Sequence, residues 1–182
     1  GDIFKRSVER RKGSPNLYAF SDYGKEKTVA FITHHDVVHP SDKRGEQAFN
    51  PVEKDGKIYG RGASDDKGGI AAFIAAMNEI VNSNSTPKYN VKFFCFGDEE
   101  IGGKDGMRWM IEEHKDVMKC DMAYVLDYST LGIEIGCSGC VSGMIKIYGK
   151  GGHAAYPFKF DNAAEKAVKL ASKLLAFGKG EE

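Results

Sequence analysis

An excess of charge of either sign is absent: 26 Lys and Arg stand against 26 Asp and Glu, so the 182-residue chain is formally neutral. A nucleic-acid or acidic-lipid binder would carry a basic surplus, so neither partner is expected. No apolar run approaches the roughly 20 residues that span a bilayer, so no membrane association is expected either. Cysteine is scarce, with four residues at 95, 120, 137 and 140. Too few for a disulfide scaffold in a chain this long, they read as reduced thiols of a cytoplasmic protein. Cys137-Ser138-Gly139-Cys140 is a C-x-x-C, but no second pair completes a zinc ribbon, and it reads as ordinary thiols. Internal repeats and low-complexity segments are missing, no secretory leader is visible, and there is no G-x-S-x-G nucleophile motif.

What is present suits a packed α/β layer. Hydrophobic residues make up 41% and charged residues 29%, ordinary for a globular chain that buries a core. The length fits one domain, or one domain and part of a second. Asn16–Phe20 and Thr28–Thr33 read as β-rich runs around a polar turn, a hairpin or neighbouring strands. Asp55-Gly56 between Val52–Lys54 and Lys57–Tyr59 is a two-residue hairpin signal. Gly69–Val81 and Asp105–His114 have helical spacing, and Val91–Phe96 and Met122–Leu126 are nearly continuous apolar strands. Strand, helix, strand, helix, strand, with apolar strands, predicts an α/β sheet covered on both faces. Beyond Gly136 the pattern changes. Met144–Tyr148 alternates like a half-solvated strand, and Ala163–Phe177 reads as an amphipathic helix. The expected division is 1–137 for the sheet domain and 138–182 for the incomplete start of a second domain.

The polar residues fall where such a sheet binds ligands. His34 and Asp36 follow one strand, Asp98, Glu99 and Glu100 another, and Asp127 a third; Asp65 and Asp66 sit between a glycine bend and a helix start. Open α/β sheets bind ligands outside the carboxyl ends of their strands. So many carboxylates on one edge would repel each other unless cations compensate. A histidine among them points to zinc or a similar divalent metal more than to magnesium or calcium, and two metals sharing a bridging carboxylate would absorb the charge best.

Four segments then resemble, in order, the signatures of the dizinc metallopeptidase and deacylase superfamily, the acetylornithine deacetylase, succinyl-diaminopimelate desuccinylase, carboxypeptidase and dipeptidase family. They are His34-His35-Asp36-Val37-Val38; Asp55 through Gly68, with Gly60-Arg61-Gly62-Ala63-Ser64-Asp65-Asp66; Asp98-Glu99-Glu100-Ile101-Gly102-Gly103; and Gly149 through Pro157 with Asp161-Asn162-Ala163. The resemblance implies a zinc-peptidase-like open sheet flanked by helices, followed by the start of a smaller α+β lid or dimerisation domain.

By the same resemblance His34 is a zinc ligand, and Asp36 holds the other ring N–H and fixes the tautomer. Asp65 bridges two zincs, Glu100 and Asp127 are further ligands, and the Asp65–Asp66 bond is cis as in many relatives. Cobalt or manganese could replace zinc. Glu99 is the general base that takes a proton from zinc-activated water and returns it to the leaving amine. His153 reaches across a homodimer, formed through the lid, to the oxyanion. His35 and His39 are expected on the pocket wall or surface, and His114 at a helix end. The implied substrate is a small peptide or an N-acyl amino acid. Asp127 leans slightly toward peptides, and an N-acyl amino acid deacylase is the rival. The rival of another class is a non-catalytic binding module of the same fold, against which the retained Glu99 argues. The last ligand of the second metal lies, in relatives, beyond the lid, so the chain is expected to be a piece of a larger enzyme that begins about a helix late.

Overall fold

The computed structural model describes residues 3–40, 43, 45–127, 132–136, 139 and 141–178. The chain divides into two compact units, residues 1–133 and 134–182, a few residues earlier than the expected 137/138 division. The C-x-x-C cysteines Cys137 and Cys140 lie outside the described residues.

The first unit is built on a five-stranded sheet. Its strands are β1 (Ile3–Arg11), β2 (Ser14–Ser21), β3 (Thr28–His34), β6 (Asn90–Phe96) and β7 (Met122–Val125), in the order β1-β2-β6-β3-β7. A separate hairpin joins β4 (Val52–Lys54) to β5 (Lys57–Tyr59). Its turn residues have φ of 53° at Asp55 and 69° at Gly56, the double positive φ that a tight two-residue hairpin requires. The helices are α1 (Lys67–Asn82), α2 (Met107–Glu113) and α3 (Lys115–Met118). β6, β3 and β7 run parallel, whereas β1–β2 and β2–β6 are antiparallel. The α/β sheet expected from the apolar strands is therefore present, with an antiparallel edge.

Two sequence expectations are corrected. The runs at Asn16–Phe20 and Thr28–Thr33 are neither a hairpin nor neighbours, because β6 lies between β2 and β3. The segment joining them instead wraps the start of β6. The Asn90 side chain accepts the N–H groups of Tyr23 and Lys25 and donates to the Lys25 carbonyl at 2.7 Å. Met144–Tyr148 is not a strand: among the described residues of the second unit the only β pairing is one isolated bridge, Lys150 to Asp161, and a strand without a partner leaves its ladder groups unmade. β1, rich in Arg, Lys and Glu, gives no signal in the sequence, since a charged edge strand carries no apolar alternation.

Period-2 alternation sends neighbouring residues to opposite faces, and each face has its own helix. Ala30, Ile32, Phe94 and Phe96 form the buried core with Met110 of α2. Phe31 and Phe93 point the other way, where Phe73 of α1 meets them with ring centroids 5.3 and 4.3 Å apart. The chain passes from β3 through α1 to β6 on one side of β3, then through α2 and α3 to β7 on the other. The direction of travel reverses at β3, which opens a crevice at its carboxyl end. Lys92 of β6 points to the α2 face and is buried; its ammonium donates to the carbonyls of Val117 and Lys119 at 2.7 and 2.8 Å, closing the end of α3. In the second unit, α4 (Ala163–Gly178) forms where the amphipathic pattern predicts it. Asn162 caps it, accepting the N–H of Ala164 at 2.9 Å. No helix among the described residues is long and apolar enough to cross a membrane.

Phe94 is fully buried and stacks on Tyr18 and Phe96. Phe94→Ala should cost about 3–5 kcal/mol, read as a lower urea midpoint at unchanged slope; a loss within error would mean that the site collapses around the missing ring. Burial lowers the pKa of Lys92, against a smaller opposing effect of Cys120. The unfolded chain then binds this proton more tightly, so unfolding free energy gains from rising pH between the lowered folded pKa and the ordinary lysine value of about 10.4. Lys92→Met should flatten that alkaline slope in urea titrations at several pH values, and equal slopes in both proteins would refute the assignment.

Candidate metal centre

The polar residues at the sheet edge come from four places: the ends of β3, β6 and β7 and the bend before α1. β3 and β6 are in parallel register with His34 opposite Phe96, and β3 pairs Ile32 with Val125 of β7. The residues just after β6 and β7 therefore emerge beside the imidazole of His34. The fourth contribution comes from the bend before α1. There the Arg61 N–H is anchored to the Ala48 carbonyl at 2.8 Å and the Lys67 N–H to the Gly62 carbonyl at 3.1 Å. The Asp65–Asp66 peptide bond in this bend is cis.

His34, Asp65 and Asp127 converge: one ligand atom from each lies within 4.8 Å of the others. His34 is 1% exposed. Its Nδ1 donates to the main-chain carbonyl of Asp36 at 3.0 Å, with the Asp36 carboxylate 3.3 Å away. Nε2 therefore faces outward, 2.9 Å from Asp65 Oδ1 and 3.6 Å from Asp127 Oδ2. With Nδ1–H committed, an Nε2 lone pair and two carboxylates are all acceptors; they tolerate this approach only with a proton or a cation between them. Imidazole nitrogen with carboxylate oxygen is a donor set suited to zinc and related divalent metals, so the residues present fit such an ion. Burial works against charge on His34, but Asp127, the Asp36 carbonyl and carboxylate, and Glu99 outweigh it and raise its pKa.

Asp36 also reaches the next segment. Its carboxylate accepts the N–H of Glu99 at 3.2 Å and of Glu100 at 3.1 Å. Glu99–Ile101 is a single 3-10 turn, in which successive side chains fan out about a third of a revolution apart. Glu99 consequently lines a cavity of about 560 Å³ together with His34 and Asp127. Its pKa is raised by burial first, then by Asp127 and Glu100, against the lowering effect of His34. Glu100 does not join the His34–Asp65–Asp127 group; its Oε1 accepts the Val38 N–H at 3.3 Å. His153 belongs to the second unit, where it is exposed and its Nδ1 accepts the Ala155 N–H at 3.2 Å.

The remaining histidines have other partners. His35 lies 2.8 Å from the Pro15 carbonyl through Nε2. His114 ends α2 with its ring edge-on to Trp109, and His39 is exposed. Two buried carboxylates stand behind the site. Asp66, 1% exposed, accepts the His34 N–H at 3.2 Å through Oδ2, and burial raises its pKa, with the His34 hydrogen bond opposing. Asp98, also 1% exposed, closes β6. Nothing in the sequence pattern separates these from solvated loop acids except their position at element ends. Asn16, buried beside Asp98, carries no signal at all.

A sheet of this topology with an imidazole–carboxylate group at its carboxyl edge is the layer of a metal-binding α/β protein. The chain belongs to the peptidase family M20/M25/M40, whose pattern matches residues 30–181. It is 34% identical over 170 residues to a succinyl-diaminopimelate desuccinylase of a Nitratiruptor species, covering 90% of this chain and 46% of that enzyme. Among solved structures it is similar to human carnosine dipeptidase 1, at 30% identity and a TM-score of 0.55, covering 69% of this chain and 29% of that one. It shares the fold of a Staphylococcus aureus tripeptidase at 21% identity, a TM-score of 0.63 and coverage of 93% and 46%. The chain thus spans about half the length, or less, of these relatives.

His34 supplies the only nitrogen of the His34–Asp65–Asp127 group. His34→Ala in the intact protein should weaken metal affinity by roughly tenfold or more, read as bound metal per chain by elemental analysis after dialysis; undiminished metal content would remove His34 from the ligand set.

Proposed function

We propose that the protein is a metal-dependent hydrolase that cleaves the amide bond of a small peptide or N-acyl amino acid with activated water. The observation that carries this reading is the convergence of His34, Asp65 and Asp127, with Glu99 lining the same cavity. These three residues would hold the metal, which we take to be zinc, and Glu100 would join a second ion through rotation of its side chain away from Val38. When bound, the metal would lower the pKa of water and polarise the amide carbonyl.

The chain's own residues account for the rest. Asp36 keeps Nδ1–H of His34 engaged, so that Nε2 remains a ligand. Glu99, beside the cavity and unencumbered by a salt bridge among the described residues, takes the proton of the attacking water and passes it to the leaving amine. His153 would serve the developing oxyanion from a partner subunit, joined through the second unit. The relatives named succinyl-diaminopimelate desuccinylase favour an N-acyl amino acid substrate, and the likeness to a carnosine dipeptidase favours a dipeptide. Turnover of the intact, metal-loaded protein on N-succinyl and N-acetyl amino acids against dipeptides separates the two. Inactivity on both sets, with no bound metal, would instead leave a binding module of the same fold.

Glu99→Gln removes the proton acceptor while preserving shape. It should leave metal content unchanged and lower kcat by roughly a hundredfold or more, measured on whichever amide the parent protein cleaves; unchanged kcat would exclude Glu99 as the base.

A further inference from the structure

The turn that carries Glu99 is held from two sides. On the metal side the Asp36 carboxylate accepts the N–H groups of Glu99 and Glu100. On the other side stands Asp98, which the proposed chemistry does not use. Its main-chain oxygen accepts the N–H of Ile101 at 3.3 Å and of Gly103 at 2.8 Å, and its Oδ2 accepts the N–H of Asp105 at 2.6 Å. One residue thus closes the segment from 98 to 105 into a ring, with Glu99 as its first member. Asn16 of β2 completes the closure: Nδ2 donates to the Asp105 carbonyl at 3.1 Å, and Oδ1 accepts the Gly97 N–H at 3.4 Å. The lock is tight. A Cβ on residue 106 would overlap Asp98 Oδ1, so an alanine there would have to displace the carboxylate.

Asp98 Oδ1 itself is buried and has no hydrogen-bond partner among the described residues. Asp98 also lines the cavity next to Glu99, so the residue that closes the ring borders the space into which the Glu99 carboxyl faces.

We propose that Asp98 is a positioning residue: it holds the 98–105 ring so that the Glu99 carboxyl stays on the cavity beside His34 and Asp127. This rests on the assignment of Glu99 as the proton-transfer group. Small displacements of such a group cost rate rather than binding.

The test uses the intact protein and three variants, Asp98→Ala, Gly106→Ala and Asp98→Asn. Asparagine keeps one carboxamide oxygen for the Asp105 N–H. In metal-free protein, amide hydrogen exchange over residues 99–105 should accelerate roughly tenfold or more in Asp98→Ala and Gly106→Ala, while β3 and α1 keep their protection. In metal-loaded protein, the same two variants should lose about tenfold or more in kcat with KM little changed, and Asp98→Asn should restore both readouts. Should Asp98→Ala not fold, Gly106→Ala carries the comparison, since it displaces the same carboxylate by sterics alone. Parent-like exchange and kcat in the variants that fold, or an Asp98→Asn protein as impaired as the alanine variants, would overturn the proposal. Failure of the Glu99 assignment is separable: Glu99→Gln would then keep its turnover, while the exchange measurement, which involves no chemistry, still reports whether Asp98 holds the turn.

Discussion

Everything at the carboxyl edge of this sheet answers to one repulsion. An imidazole nitrogen faces two carboxylates, one at 2.9 Å and the other at 3.6 Å, and the imidazole's other nitrogen is already committed to the Asp36 carbonyl. Such a group is stable only around positive charge. The fold brings the members together before any ion is considered: parallel register sets the ends of β6 and β7 beside the end of β3, and the main-chain bonds of the bend before α1 aim Asp65 at the same point. The backbone therefore holds an imidazole and carboxylates in opposition, an arrangement that a proton or a cation between them would relieve.

How much of this could be read in the residue order follows from the range of the interactions involved. β3, β6, β7 and α1 were legible because each is a local apolar pattern with one period. The Asp55-Gly56 hairpin was legible because its turn type is a property of two residues. The pairing of β2 with β6 was not, since it joins segments about seventy residues apart and depends on Asn90 gathering the backbone of residues 23 and 25. β1 and the 144–148 segment mark opposite failures of the same rule. β1 is a strand without the alternation because it is an edge, and 144–148 has the alternation without a partner to pair with.

The site divides along the same line. That one histidine and several acids gather at this edge could be read from the places of His34, Asp36, Asp65, Asp66, Asp98, Glu99, Glu100 and Asp127 at element ends, whereas the choice of ligands among them was implied only by the family resemblance. The directions of Glu99 and Glu100 could not be read. Alternation would send them to opposite faces of a strand, but a 3-10 turn rotates them by a smaller step, so one faces the cavity and the other finds the Val38 N–H. The role of Asp36 was legible only in part. The residue touches the His34 ring as the family resemblance implies, yet the shorter bond is to its carbonyl, and its carboxylate also accepts from the main chain of the glutamate turn.

That division of labour at Asp36 couples two things that would otherwise vary independently. The orientation of the His34 ring and the location of the Glu99 backbone are set by one residue, so a shift of the β3 end moves the two together rather than apart. The proposed chemistry needs a fixed separation between the two, and two loops tethered only to their own strands would not guarantee it. Asp66 extends the tie to the third element, since its buried carboxylate binds the His34 main chain while its neighbour Asp65 faces the ring. His34 is thus fixed through its ring by Asp36 and through its backbone by Asp66. Asp36 and Asp66 hold the ring and the backbone of His34, while Asp65 and Asp127 are the carboxylates that face its Nε2.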